Sequence, residues 1–150
     1  MTTTAPASTK GNPARASSPG TAPDLPTDTS IALVSGALSR PAEVRELPSG
    51  DSLVVIELTT RGEAGPAESI PVVWPDPPAW AGGLEEGARV VVLGRVRRRF
   101  FRAGGTTASR TELVAERIVL ERQRARVRTV AELAQRRVRE LTDGPAPDSR

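Results

Sequence analysis

The run Arg89-Val-Val-Val-Leu-Gly-Arg-Val-Arg-Arg-Arg-Phe-Phe101 decides the fold class of this 150-residue chain. Three valines and a leucine in succession favour a strand, because β-branched side chains lose rotamer freedom against a helical turn and pack well on a pleated surface. A second such run, Thr111-Glu-Leu-Val-Ala-Glu-Arg-Ile-Val-Leu120, follows across a loop, Arg102–Arg110, that contains Gly104-Gly105. Two strands joined in this way predict a β-hairpin with a mobile tip. Period-two alternation puts Val90, Val92 and Val96 on one side and Arg97, Arg99 and Phe101 on the other. Arg98 and Phe100 point the opposite way from that strip, so Phe100 reads as core or interface. Val91 and Leu93 make the strand apolar on its second face as well, and such a strand has to be covered on both. A homo-oligomer, dimer or tetramer, is the simplest cover, with a C-terminal helix as competitor.

Upstream, turn signals recur about every ten residues, the spacing of a small all-β barrel or sandwich. Ile31–Leu38 is the first strand, stopped by Pro41 and extended past a bend by Glu43–Leu47. Pro48-Ser-Gly-Asp51 is a turn, Ser52–Thr59 the second strand and Glu68–Trp74 the third, whose internal Pro71 predicts an edge position or a bulge. The connector Pro75–Gly87 has room for one or two helical turns through Ala79–Glu86. With the hairpin this makes five strands. Downstream, Val127, Val130, Ala134, Val138 and Leu141 are spaced by three or four within residues 122–142, which predicts an amphipathic helix with a basic outer face. Residues 1–29, rich in Pro, Ser, Thr and Ala, and residues 143–150 read as disordered tails.

Composition removes whole classes of chemistry. The chain has no Cys, His or Tyr, which rules out thiolate nucleophiles, disulfides, Cys/His zinc sites and histidine bases. No acid–base or metal spacing is evident among the carboxylates, so the expectation is a non-enzyme without cofactor or metal. Lys10 is the single lysine among 21 basic residues, a skew that genome composition alone can produce. The charge is unevenly placed. Residues 31–94 hold four arginines against nine carboxylates, a balance of −5, whereas residues 95–150 hold fifteen against seven, a balance of +8. With no apolar span or signal core, the reading is a soluble cytoplasmic, nucleoid-associated protein.

Guanidinium groups beside an aromatic ring are the chemistry that single-stranded nucleic acid takes: cations neutralise phosphates, and any base stacks on the ring. The bland alternative for Arg97, Arg99 and Phe101 is a solvated edge whose charges keep the strand from pairing with other chains. That role does not call for four arginines and two phenylalanines in one hairpin, which favours nucleic acid.

Residues 30–121 resemble the bacterial single-stranded DNA-binding protein family, an OB-fold. Pro41-Ala-Glu-Val-Arg45 followed by Leu47-Pro-Ser-Gly50 is close to that family's Asp-Pro-Glu-x-Arg-x-x-Pro-x-Gly signature. Leu84-Glu-Glu-Gly-Ala-Arg-Val-Val-Val-Leu-Gly-Arg-Val96 is similar to its Leu-x-x-Gly-x-x-Val-x-Val-x-Gly-x-Leu block. The resemblance implies an all-β, five-stranded OB-fold Greek-key barrel with an added C-terminal helix. It implies sequence-independent binding of single-stranded DNA that protects single strands in replication, recombination or repair. It also implies that Phe101 stacks on a base and that Arg45, Arg97 and Arg99 face DNA.

Departures are specific. Thr59–Gly65 lacks the family's loop tryptophan, and Ala67-Glu-Ser-Ile70 stands where it has Thr-Glu-Trp-His. Trp74 is the candidate to replace a lost ring, although it shares the parity of Ile70 and Val72 and so also reads as core; Trp80 is a further candidate. The family's acidic tail with an apolar tip is not matched by Gly144–Arg150, which reads as a short divergent paralogue. The competing reading is an OB-fold protein-interaction module with weak or no nucleic-acid binding.

Overall fold

In the computed structural model, which describes residues 28–143, Pro41 splits the first predicted strand into β1 (Ala32–Leu38) and β2 (Glu43–Glu46). The remaining strands are β3 (Ser52–Arg61), β4 (Ala67–Pro75), β5 (Arg89–Ala103) and β6 (Thr106–Leu120). A single 3-10 turn, Ala79–Gly83, bridges β4 and β5, and α1 spans Arg124–Thr142. The predicted tails fall almost wholly outside the described residues.

The strand order is β1-β5-β6-β4-β3-β2, and a further β1–β3 pairing closes the sheet into a ring. β4 occupies the full length of one edge of β3, so β1 and β2 share the other edge. They act as one bent strand: Ala37 and Leu38 pair with Thr59 and Leu58, and Glu43–Glu46 pairs with Val55–Ser52. Every pairing is antiparallel except β4 with β6. This is the five-stranded Greek-key barrel of the OB-fold. Pro71 sits beside the start of the β4–β6 ladder at Val72, where β4 does not need its N–H.

Alternation fills the barrel with Val54, Ile56 and Leu58 of β3, Val90 and Val92 of β5, and Leu113, Ala115 and Ile118 of β6, with Val72 and Trp74 of β4 beside them. The inward parity of β6 jumps from Ala115 to Ile118 because its register against β5 shifts at Leu93/Gly94, leaving Glu116 as the extra residue of a bulge.

The second apolar face of β5 is covered from within the chain. Val91 and Leu93 pack with Val130 and Ala134 of α1, flanked by Ile31, Val119, Val127 and Leu133. Arg137 of α1 pairs with Glu116 at 2.7 Å and pins the helix to the bulge. The helix is thus the cover that the sequence pattern demanded, and this face no longer argues for a homo-oligomer.

Candidate nucleic-acid interface

β5 and β6 are the two longest strands, and they pair from Val90↔Leu120 to Ala103↔Thr106 with one interruption, the bulge at Leu93/Gly94. The nine-residue loop expected from sequence is in fact a two-residue turn. Gly104 and Gly105 both take positive φ, 58° and 82°, which a type I′ hairpin requires at both central positions. The Thr106 hydroxyl donates to the Ala103 carbonyl and tightens it.

β4 pairs with β6 only at Leu113 and Val114. Beyond the Val96↔Leu113 pair, therefore, the hairpin runs on as a two-stranded ribbon to which neither β1 nor β4 is paired. From Arg97 to its partner Glu112 it carries five arginines and one carboxylate, Glu112 itself, at the ribbon's base. α1 packs against the other end of these strands, at Val91 and Leu93, and leaves the ribbon open.

Phe101 lies with Arg97 and Arg99 on the outward face, 40% exposed, with the Arg99 guanidinium 5.9 Å from its ring centre. Phe100, expected in core or interface from its parity, is 65% exposed. That parity points into the barrel only while there is a barrel to point into. Arg98 sits 5.4 Å from the Phe100 ring and is held by two hydrogen bonds, of 3.0 and 2.8 Å, to the Ser109 hydroxyl across the ribbon. The ribbon therefore presents a ring beside a guanidinium on each face. The second pair was missed because period-two counting does not register where the barrel ends; the signal was the excess length of these two runs.

Arg97 is engaged. It donates through both Nε, at 3.1 Å, and Nη2 to Oε1 of Glu112, whose side chain is only 3% exposed. Arg99 stands 4.0 Å from the same oxygen. A buried carboxylate is costly unless paired, so Arg97 neutralises Glu112 first, while Arg99 keeps most of its charge outward. Arg45 on β2 donates to Glu43, two residues earlier on the same face, at 2.9 Å. That hydrogen bond, with the attraction between the two charges, holds the Glu43 carboxyl below its usual range and raises the Arg45 guanidinium further.

The structure brings Arg97, Arg99 and Phe101 together on one ribbon face. Arg45 stands apart, on β2, which pairs with β3 and with neither strand of the hairpin. Trp74 belongs to the core: it is 7% exposed, and the edge of its ring pair with Trp80 lies at 5.5 Å and 69°. A residue pairing with Val54 shares its inward parity, so this ring packs inward and only its small exposed part borders the groove beside Trp80.

No family model and no curated protein matches the chain. Among solved structures it is similar to one described as Plasmodium falciparum SSB complex with ssDNA, at 16% identity, over 62% of this chain and 95% of that one, with a TM-score of 0.55. At that identity the likeness is one of fold, and it is the same barrel that the strand order defines.

Proposed function

We propose that this chain binds single-stranded DNA without sequence preference and that the β5–β6 ribbon is its principal contact. One observation carries the reading: a ribbon of five arginines whose one carboxylate, Glu112, is buried at its base, with exposed phenylalanine rings on both faces. Bases stack on Phe101 and Phe100, and Arg95, Arg98, Arg99 and Arg102 neutralise phosphates. Arg97 holds the ribbon in shape through Glu112, and Arg45 reaches a strand leaving the ribbon across the outward face of β3 and β4. OB-folds bind oligonucleotides on this face and with the loop joining their last two strands, where the ribbon stands. A solved structure with this fold contains single-stranded DNA, which supports the same partner here.

The role that follows is a binding protein, not an enzyme, that shields single strands during replication, recombination or repair. The test is fluorescence anisotropy of a labelled oligothymidine with the unaltered chain and with Phe101→Ala and Phe100→Ala. The proposal expects saturable binding that each substitution weakens. No binding at low salt would overturn it and favour a protein-interaction module.

A further inference from the structure

Trp80 is an exposed aromatic that the ribbon does not use. It lies in the turn Ala79–Gly83, 42% exposed, and its contact with the buried Trp74 fixes its orientation. It forms a wall of two grooves, of about 620 and 360 Å³. The larger is lined by Arg122 and Arg124 at the β6–α1 junction, the smaller by Arg117 of β6 and Arg126 of α1. All four guanidiniums are exposed, and none has an ion-pair partner among the described residues. The carboxylates beside them are mostly taken: Glu116 by Arg137 and Glu121 by Arg89, each at 2.7 Å. Glu85 is the remaining acid in the linings.

We propose that Trp80 with Arg117, Arg122, Arg124 and Arg126 is a second contact for the same single strand, at the α1 end of the molecule. A fixed ring with open space on both sides suits a flat base, and uncompensated cations on both sides of it suit a repeating anion. β6 links the two sites. Arg110 lies in the ribbon and Arg117 seven residues further along the strand, about 23 Å at ~3.3 Å per residue. A strand engaging both is therefore longer than one that occupies the ribbon alone. The helix that covers the barrel's second apolar face also supplies Arg124 and Arg126, in its first turn, to this path. This inference rests on the proposed function.

Trp74 and Trp80 are the only tryptophans; Trp74 is 7% exposed but borders the smaller groove, so quenching of intrinsic fluorescence is assigned to Trp80 by its loss in Trp80→Phe. The test titrates the full chain with oligothymidines of about 8 and about 30 nucleotides, the first within and the second beyond the roughly 4–16 that one OB-fold covers. The expected result is quenching by the long strand, lost in Trp80→Phe. Trp80→Ala should weaken the long strand about tenfold and the short one by less than about twofold. The double variant Arg117→Gln/Arg126→Gln, which leaves both rings in place, should lower the salt slope for the long strand by about 1.4. No quenching, with every variant binding both strands as the unaltered chain does and Phe101→Ala still impaired, would overturn this inference alone. Failure of either strand to bind the unaltered chain would overturn the proposed function with it. Quenching by polyglutamate equal to that by oligothymidine would assign the grooves to an acidic peptide and overturn the inference.

Discussion

Glu112 is the one buried charge among the described residues, and its removal and the removal of its partner should not be equivalent. Arg97→Ala leaves the Glu112 carboxylate with Arg99 at 4.0 Å alone, and because Arg97 is itself partly exposed the loss of this charged hydrogen bond should cost about 2–3 kcal/mol. Glu112→Gln keeps an oxygen that still accepts from Arg97, and the freed guanidinium is partly in water, so its cost should be about 1 kcal/mol. Urea unfolding of the two variants checks that order; equal losses would mean that the pair does not hold the ribbon. The phenylalanines should behave in the opposite way. Phe101→Ala and Phe100→Ala should each weaken single-strand binding by about 1–3 kcal/mol while leaving the unfolding midpoint in place, because both rings are exposed. Of these residues, Arg99 and Phe101 were legible from alternation alone. The capture of Arg97 by Glu112 was not, because the pairing of residues fifteen apart depends on a register that the loop composition left open.

At the level of elements, α1 and the bulge at Gly94 hold the ribbon's base. A Cβ at Gly94 would lie 2.1 Å from the Val114 carbonyl oxygen, so Gly94→Ala forces β5 and β6 apart and should cost about 3 kcal/mol. Leu93→Ala, at a fully buried position beneath α1, should cost about 2–5 kcal/mol. Both are read from thermal or urea unfolding. Truncation before Arg124 uncovers Val91, Leu93 and Val119, and sedimentation should then show self-association; a truncated chain that stays monomeric and equally stable would contradict the helix's role as cover. Most elements were readable in sequence because apolar period, proline and glycine each act locally: Pro41 broke the first strand, and Val130 and Ala134 marked the buried helix face. The hairpin turn was read too long because Thr106–Arg110 lacks an apolar pattern. Its pairing comes from β5 across the turn, not from its own residues.

Across the whole molecule, the carboxylates gather in the first strands and the arginines in β5, β6 and α1, so an anionic strand is drawn to one side of the barrel. The barrel itself was anticipated from the two motifs Pro41–Gly50 and Leu84–Val96. The covered face of β5 could not be assigned from sequence, because an apolar strand face specifies that it is covered without specifying by what. If about five ribbon arginines contact phosphate, the logarithm of the binding constant should fall with the logarithm of salt at a slope of about −3.5 for single strands. A basic surface alone would also give a slope, but no preference between strands. The most direct test of the central claim is therefore competition: a labelled oligothymidine bound to the full chain, displaced by unlabelled single strand or duplex at two salt concentrations. Single strand should displace it at far lower concentration than duplex, with the preference persisting at the higher salt, where stacking outlasts charge. Equal displacement by duplex at both salts would contradict the account and reduce the ribbon to a nonspecific cation.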